Sequence, residues 1–459
     1  MSRRSNDVTG ADLVVVGGDV VSEYGVHRAD VWIQAGLVRM VGADVARLAP
    51  TGTAQLDAAG KLVFPGLIDP QVHFREPGLE HKEDLASGGL CAIAGGMTGF
   101  LEMPNTNPLT TDPERLADKL ERASGRSPAD FGFFIGGTAE NADRLGEWET
   151  LPGCAGVKVF MGSSTGNLLI PDDATLERVL RSGKRRVTVH SEDDPRLKER
   201  YAAIGPDVHV REHPHIRDVE CAMRATRRLL ALAEKTGRPV HLLHVSTAEE
   251  IELVRERALG DLVTVEVTPN HLFLAAPDCY EEHGTWAQMN PPVRDRRHQA
   301  TLRQAVADGT ATCIGSDHAP HTAAEKAKPF PVAPSGIAGT QTILPLLLTA
   351  VRDGWLRLPD IVRLCLTGPC HVYGIQGRGP LAPGVEGDLV LVDPTRRGPL
   401  PVEALHSRAG FSPFVGVELA GWPCATVLRG EVVYRVTGQD GLRGAAVGAP
   451  TGRALRFLA

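Results

Sequence analysis

The chain has 459 residues, of which 42% are hydrophobic, and this length fits one large barrel domain with a smaller module beside it. The net charge of −7 is mild, and no Lys/Arg run stands out, which argues against nucleic acid as a partner. Only 5% of the residues are aromatic, which argues against a carbohydrate-binding barrel, and no window approaches the roughly 18 consecutive apolar residues of a membrane span.

The N-terminal residues 1–12 carry two arginines without an apolar stretch behind them, so they predict a short tail rather than a secretion signal. The eight cysteines are scattered and form no CxxC pair. This usage predicts reduced thiols and a cytoplasmic protein.

Residues 12–64 are predicted to form short strands. DLVVVGGDVV favours two strands joined at Gly17-Gly18, and RADVWIQAGLVRMVG favours a second hairpin. From residue 62 onward, short apolar strands alternate with amphipathic helical stretches. The eight strand candidates are LVFPGLI, MTGFLEM, FGFFIGG, GVKVFMG, RVTVHSE, PVHLLHV, LVTVEVT and ATCIGSD. Eight such units predict an α/β fold with a (β/α)8 TIM-like barrel.

After about residue 380 the pattern returns to strands, in GDLVLVDP and CATVLRGEVVYRV. We therefore expect the two ends of the chain to form one small β-sandwich beside the barrel. The predicted domains are residues 1–64 and 379–459, which share the sandwich, and residues 65–378, which form the barrel. Residues 437–455 are rich in Gly and Ala and are predicted to be loosely held.

The active site of such a barrel lies at the C-terminal ends of its strands. Several strands end in polar or ionisable side chains, which are Gln71, His73, Lys158, His190, His244 and Asp317. A single strand-end histidine is more often a packing residue than a ligand. The whole set, with imidazoles, a carboxylate and room for water, predicts a catalytic metal site of the zinc type.

Lys158 sits within an apolar strand, where burial disfavours its charge. It is either a lysine that reaches solvent or an acid, or a neutral amine that takes up CO2 to become an anionic ligand. The sequence pattern leaves both readings open. Asp69 could orient a ligand or simply end the strand, and residues 322–334 are predicted to form a mobile lid.

Six segments together resemble the dihydroorotases, in the cyclic-amidohydrolase branch of the amidohydrolase superfamily. They are FPGLIDPQVHFREPG (64–78), EMPNTNP (102–108), KVFMGSSTG (158–166), VHSED (189–193), LLHVST (242–247) and GSDHAPH (315–321). The resemblance covers residues 62 to 375, and GPLAPGVEGDLVLVD (379–393) is similar to the segment that leads back to the sandwich in these enzymes.

This resemblance implies a binuclear zinc centre with two metal positions. One or both of them would be filled, which gives one or two zinc ions per chain. His73 and Asp317 would hold the first metal, His190 and His244 the second, and carboxylated Lys158 would bridge them. Arg75, Asn105 and His321 match the clamp for the substrate carboxylate, and Asn290 would add backbone contacts. Gln71 replaces the first histidine of the usual His-x-His motif, which implies a subgroup with a weakened first site, and its role as a ligand is doubtful.

The implied reaction is the reversible cyclisation of N-carbamoyl-L-aspartate to L-dihydroorotate in pyrimidine synthesis, by a metal-activated hydroxide with Asp317 as the proton carrier. The alternatives are an allantoinase or hydantoinase, and a catalytically silent scaffold that supports a carbamoyltransferase. The predicted partners are a small-molecule substrate and a second copy of the chain in a homodimer, with neither nucleic acid nor membrane.

Overall fold

A computed structural model describes residues 10–163, 168–170, 172–205, 207–437 and 442–458. The N-terminal segment contributes five strands: β1 (Leu13–Ser22), β2 (Gly25–Gln34), β3 (Leu37–Gly42), β4 (Ala54–Asp57) and β5 (Leu62–Pro65). The prediction that two strands join at Gly17 is wrong. Gly17 lies within β1, where the register against β2 shifts. The hairpin turn comes later, between Ser22 and Gly25. The predicted second hairpin is β2–β3.

Eight parallel strands follow in barrel order. They are β6 (Leu67–Val72), β7 (Met97–Glu102), β8 (Asp130–Gly136), β9 (Cys154–Phe160), β10 (Val187–His190), β11 (Val240–Leu242), β12 (Val263–Val267) and β13 (Cys313–Ile314). A parallel bridge from Val72 to His318 brings the first strand beside the segment that follows the last. The predicted barrel is therefore confirmed, since each of the eight strand candidates overlaps a barrel strand. The first candidate, LVFPGLI, also includes β5, which belongs to the other sheet.

Helices fill the connections and cover the barrel. They are α1 (Leu85–Ala94), α2 (Pro113–Ala123), α3 (Leu145–Trp148), α4 (Asp173–Arg181), α5 (Asp194–Ala202), α6 (His213–Ile216), α7 (Val219–Thr236), α8 (Ala248–Arg257), α9 (Pro269–Phe273), α10 (Asp278–His283), α11 (Arg296–Asp308), α12 (Ala323–Lys326), α13 (Ile343–Arg352), α14 (Leu358–Val362) and α15 (Gly368–Tyr373). Asp and Thr side chains accept backbone hydrogen bonds at the start of several helices, such as Asp218 at α7 and Thr247 at α8. Within the described residues, no helix combines the length and the apolar character needed to cross a membrane.

The last four strands complete the smaller sheet. They are β14 (Leu389–Pro399), β15 (Glu418–Leu428), β16 (Glu431–Val436) and β17 (Gly444–Ala446). The nine-stranded mixed sheet runs in the order β17-β16-β15-β14-β5-β1-β2-β3, with β4 on β1, so both ends of the chain meet in it as predicted. The exact domain boundaries stay a prediction.

Alternation along β14 explains how this sheet packs. Val390 and Val392 join the main core, which continues into the barrel, whereas Leu389 and Leu391 join a second core within the smaller sheet. Successive side chains of a strand point to opposite faces, so one strand serves both cores. The barrel is therefore held against this sheet through a continuous apolar interface.

The C-terminal segment is not loosely held, contrary to the prediction. Residues 442–458 run along the barrel, where the backbones of Arg453 and Leu455 bond to Phe131 and the backbone of Leu458 bonds to Gly374. Residues 438–441 lie outside the described part of the chain. The Gly/Ala-rich composition misled the prediction because main-chain hydrogen bonds to a strand do not depend on side chains.

Candidate active site at the C-terminal ends of the barrel strands

One cavity opens at the C-terminal ends of the barrel strands. The residues that line it are Gln71, His73, Arg75, Asn105, Lys158, Phe160, His190, His244, Asn290, Asp317, Ala319, Ser335 and Gly336. Nine of the ten predicted site residues are among them, and the tenth, His321, contacts Arg75 from behind. We call Gln71, His73, Lys158, His190, His244 and Asp317 the strand-end cluster.

The first half of the cluster centres on Asp317. Its Oδ1 accepts a hydrogen bond of 3.0 Å from the Gln71 amide nitrogen and lies 3.1 Å from Nε2 of His73. The other ring nitrogen of His73, Nδ1, lies 2.7 Å from Oδ1 of Asn105. A proton on Nδ1 is therefore directed to Asn105, which leaves Nε2 as a lone-pair donor beside the Asp317 carboxylate.

Only one of the two polar atoms of the Gln71 side-chain amide has a hydrogen-bond partner among the described residues. Its amide nitrogen reaches Asp317, whereas its buried Oε1 has no hydrogen-bond partner among the described residues. A buried carbonyl oxygen without a donor is costly unless something electropositive approaches it. The amide oxygen is thus free to face a cation, although amide oxygen is a weaker zinc ligand than imidazole.

The second half of the cluster is a histidine pair. Nδ1 of His190 lies 3.0 Å from Nε2 of His244, and the His244 Nδ1 atom is buried without a partner among the described residues. Burial lowers the pKa of both imidazoles, which favours the neutral form that binds metals.

Glu192 orients this pair. It was not predicted as a site residue. Its Oε2 lies 3.0 Å from Nε2 of His190, and the buried Arg217 guanidinium forms an ion pair with the same carboxylate. A carboxylate behind a histidine fixes its tautomer and turns the other nitrogen toward a metal. The spacing of two residues in VHSED could have indicated this partner, because it follows strand alternation.

Lys158 lies between the two halves and is 1% exposed. Within the described part of the chain its amine forms neither a hydrogen bond nor an ion pair, and it lies 4.5 Å from the centre of the Phe160 ring. Burial lowers the pKa of Lys158 to about 7, so a large share of the amine is neutral near neutral pH. The first sequence reading, a lysine that reaches solvent or an acid, therefore finds no support.

The backbone is strained at three of these positions. The φ angles are 69° at Arg75, 37° at His244 and 49° at Asp317. These values lie in the left-handed region, which residues other than glycine rarely adopt. Such conformations persist where the surroundings dictate them, and they concentrate at functional sites. Next to Asp317, Asp69 accepts hydrogen bonds from the Ser316 amide and hydroxyl, which fixes the turn.

Arg75 forms the polar wall beside the cluster. Its guanidinium is 1% exposed, and no acidic side chain of the described residues forms an ion pair with it. Its Nε donates to the Pro320 carbonyl, and its Nη2 lies 3.3 Å from Nε2 of His321. A buried guanidinium without a counter-ion is a strong attractor for an anion that enters the cavity.

The segment predicted as a lid closes one side of the cavity. It contains α12, and the two residues that follow it, Ser335 and Gly336, line the cavity. The Lys326 ammonium donates to the carbonyls of Gln288, Pro334 and Gly336 at 3.0–3.1 Å. These three bonds hold the segment closed in this structure.

The side chain of Asn290 contacts a buried histidine, His213, that was not predicted as a site residue. His213 is fully buried at the start of α6, with Nε2 at 3.1 Å from the Asn290 side-chain oxygen and 3.0 Å from the Met289 carbonyl. His213 lies in a charged stretch of the sequence and is nevertheless buried, whereas its neighbour His215 is exposed.

Two further groups of side chains in the described residues have metal-ligand chemistry. One is the buried set His241, Glu266 and Cys313, and the other is Asp130, Glu386 and Asp388. The second forms ion pairs with Arg378 and Arg429, and it therefore ties the barrel to the smaller sheet.

The fold and this cavity define a barrel hydrolase with a polar site at its strand ends, and comparison with known proteins gives its family. Residues 62–433 match the sequence model of the amidohydrolase family. The chain belongs to the amidohydrolase family, in its dihydroorotase group. It is 36% identical over 435 residues to a dihydroorotase of Methanosarcina mazei, covering 92% of this chain and 94% of that protein. It is 35% identical over 441 residues to a dihydroorotase of Geobacter sp., covering 92% of this chain and 99% of that protein.

Solved structures agree at the level of fold and class. An L-hydantoinase of Arthrobacter aurescens superposes with a TM-score of 0.89 at 26% identity, covering 97% of this chain and all of that one. A D-hydantoinase of Thermus sp. gives a TM-score of 0.85 at 27% identity, covering 97% of this chain and 99% of that one. The chain is therefore a cyclic amide hydrolase of the same superfamily.

Proposed function

We propose that this chain catalyses the reversible cyclisation of N-carbamoyl-L-aspartate to L-dihydroorotate. The observation that carries the proposal is the buried Arg75 guanidinium beside the strand-end cluster, which forms no direct ion pair with an acidic side chain of the described residues. Dihydroorotate carries a ring carboxylate that Arg75 can bind with two parallel hydrogen bonds. A hydantoin ring need not carry one. The dihydroorotases with about 35% identity support the same choice.

The strand-end cluster fits a divalent metal. Its donors are a carboxylate together with imidazoles and an amine whose pKa values are lowered by burial, and two of its buried polar atoms, Gln71 Oε1 and His244 Nδ1, have no partner among the described residues. We propose that His73 and Asp317 hold one zinc ion and that His190 and His244 hold another, with carboxylated Lys158 between them. A metal held there would polarise the scissile carbonyl and lower the pKa of a bound water.

The chain's own residues orient the substrate and move the proton. Arg75 holds the ring carboxylate, and Asn105 holds His73 through Nδ1. In the direction of ring opening, Asp317 takes the proton of the attacking water and delivers it to the ring nitrogen that leaves. The Gln71 amide and the fixed turn at Ser316 keep the Asp317 carboxylate in place for both transfers.

The first experiment measures zinc per chain and L-dihydroorotate hydrolysis on one sample. About two zinc ions with turnover would support the binuclear site, and about one with turnover would restrict the chemistry to the His190–His244 side. A protein without zinc or turnover, even after zinc is added, would overturn the proposal and favour a silent scaffold for a carbamoyltransferase.

A hydantoinase-type activity is the second candidate, and the hydantoinase neighbours favour it. Hydantoin and dihydrouracil, which lack the ring carboxylate, separate the two. Turnover of these rings in preference to dihydroorotate would favour this second candidate. We further propose a cytoplasmic homodimer that serves pyrimidine synthesis, which sedimentation of the purified protein would test for its oligomeric state.

A further inference from the structure

Three metal-ligand side chains meet inside the barrel, away from the active-site cavity. His241 lies on β11, Glu266 on β12 and Cys313 on β13, which are three successive strands. All three side chains are fully buried, and none of them lines the cavity. Glu266 and Cys313 are register partners across the β12–β13 pair. We call these three residues the barrel-core triad.

Hydrogen bonds orient the His241 ring within the triad. Its Nδ1 lies 2.7 Å from Oγ1 of Thr264, and this hydroxyl lies 3.4 Å from the carbonyl oxygen of Val240, which can only accept. The pair of contacts favours a hydroxyl that donates to Val240 and accepts the hydrogen of Nδ1. The other ring nitrogen, Nε2, then presents a lone pair to the rest of the triad.

The distances from this nitrogen suit a zinc ion. Nε2 of His241 lies 3.6 Å from Sγ of Cys313 and 3.7 Å from Oε2 of Glu266, and the three ligand atoms all lie within 4.8 Å of one another. Around a tetrahedral zinc ion, sulfur, nitrogen and oxygen ligands lie about 3.3–3.6 Å apart, given the usual metal–ligand bond lengths. The two separations at Nε2 are close to these values.

Glu266 is the member of the triad that points to a ligand. Both of its carboxyl oxygens are buried without a hydrogen-bond partner among the described residues. The chain leaves room for this carboxyl group at Gly315, where an added Cβ would lie 2.6 Å from Cδ of Glu266. A buried carboxyl group without a donor is costly, and a cation would satisfy both oxygens.

We propose that the barrel-core triad is a third metal site, which holds a zinc ion through Nε2 of His241, Sγ of Cys313 and the carboxylate of Glu266. Thiolate and carboxylate together balance the two charges of the ion, so the occupied site is neutral. The second oxygen of Glu266 supplies the fourth ligand. Binding releases the thiol and carboxyl protons to solvent. A closed site of this kind is structural, and it joins three strands of the barrel.

The surrounding charges are compatible with a bound cation. Arg186 and Lys158 both act on the His241 ring. The Arg186 guanidinium forms an ion pair with Asp261 at 3.1 Å, and burial lowers the pKa of Lys158 to about 7. Both cations near the triad are therefore reduced in effect.

Sulfur coordination is the readout that tests this site, because the strand-end cluster contains no cysteine. The full-length wild type is produced once with zinc and once with cobalt in zinc-depleted medium, so that the metal enters during folding. X-ray absorption of the zinc protein should show sulfur at about 2.3 Å from zinc. The cobalt protein should show a sulfur-to-cobalt charge-transfer band. A wild type grown with zinc that holds no zinc, or whose zinc has no sulfur neighbour, would overturn the proposal and leave the triad as a hydrogen-bonded network.

Two variants assign the sulfur signal to the triad. Cys313→Ser should lose the charge-transfer band and hold about one metal ion fewer per chain, and Glu266→Gln should lose the band as well. Cys154→Ser is the matched control, because Cys154 is another fully buried cysteine on a barrel strand, and it should keep both the band and the metal. A band that persists in folded Cys313→Ser protein would overturn the proposal. The wild-type spectra decide the question even if neither variant folds.

The inference does not rest on the proposed function. A protein that fails to hydrolyse L-dihydroorotate but shows zinc bound to sulfur would overturn the function and support the third site. An active protein whose zinc has no sulfur neighbour would do the reverse. The third ion would add one to the zinc count per chain, so the sulfur signal is needed to assign it.

Discussion

The side-chain amide of Gln71 donates a 3.0 Å hydrogen bond to Oδ1 of Asp317 and leaves its own buried oxygen without a partner among the described residues. Gln71 therefore supports the carboxylate that we propose as metal ligand and proton carrier. It also offers a weak oxygen where a histidine would offer a strong nitrogen. At the proposed metal site, a glutamine here would weaken one of the two metal positions and leave the His190–His244 position unchanged.

Gln71→His should tighten zinc binding. An imidazole in place of the amide supplies a better ligand to the His73–Asp317 side, and we expect metal affinity to rise by about tenfold or more. Zinc retained after dialysis against a graded chelator series measures the effect. Gln71→Ala is the matched control, and it should retain less zinc than the wild type. Equal zinc retention in all three proteins would show that position 71 is not near a bound metal.

Asp317→Asn should abolish most turnover while the fold survives. Asn cannot carry the proton, and general acid–base catalysis contributes on the order of 10²- to 10⁴-fold to rate. Asn also tolerates the left-handed backbone that Asp317 adopts, so the turn should persist. Steady-state kinetics and a thermal melt measure the two effects. Near-wild-type kcat in a folded Asp317→Asn protein would contradict the assigned role.

Arg75→Met should weaken binding of dihydroorotate selectively. The loss of a buried cation that holds a carboxylate costs roughly 2 kcal/mol or more, which is about 30-fold in KM. The folded protein should not lose stability, because the guanidinium is buried without an acidic partner in the described residues. Kinetics and chemical denaturation of the same preparation test both parts. A destabilised variant with unchanged KM would mean that Arg75 is structural.

Glu192→Gln should lower both zinc affinity and stability. The carboxylate fixes His190, and removal of such a partner typically costs about 10- to 100-fold in metal affinity. It would also leave the Arg217 guanidinium buried without its counter-ion, which costs roughly 3 kcal/mol in unfolding free energy. Zinc competition and denaturant titration measure these effects. Glu220→Gln, at a partly exposed position on α7, is the control and should change neither.

His213 makes stability depend on pH. Burial and the nearby Arg217 charge lower the pKa of His213 to about 3, compared with an unfolded value of about 6.5. Between these values the unfolded chain binds the extra proton, so stability falls as pH drops below about 6.5, by up to about 1.4 kcal/mol per pH unit for this one group. Melts from pH 7 to pH 4 should show a smaller slope in His213→Gln. An unchanged slope would assign the effect to other buried groups.

The barrel could be predicted because its strands carry their own signal. GVKVFMG and LVTVEVT are short apolar runs between amphipathic helices, and a parallel strand buried on both faces produces that pattern from local composition alone. The hairpin at Gly17 was predicted wrongly because that prediction also rested on local composition alone. A glycine pair signals a change of backbone direction, but whether it becomes a turn or a bulge depends on the partner strand.

The strand-end cluster could be predicted in membership but not in geometry. His73, Lys158, His190, His244 and Asp317 each follow or end a strand, and barrel topology brings such positions to one face. Glu192 is indicated only by its position two residues after His190, and its partner Arg217 has no such signal. Their roles depend on which side chains a ring nitrogen meets in space.

The sequence by itself determined the class of fold, the order of the strands and the residue types at the strand ends, because these follow from periodicity and chain order. Only the tertiary structure decided that Arg75 is buried with no ion pair to an acidic side chain of the described residues, and that burial lowers the pKa of Lys158. The physical reason is that the solvation of a side chain and the direction of its hydrogen bonds depend on its neighbours in space. Folding brings those neighbours together from distant parts of the chain.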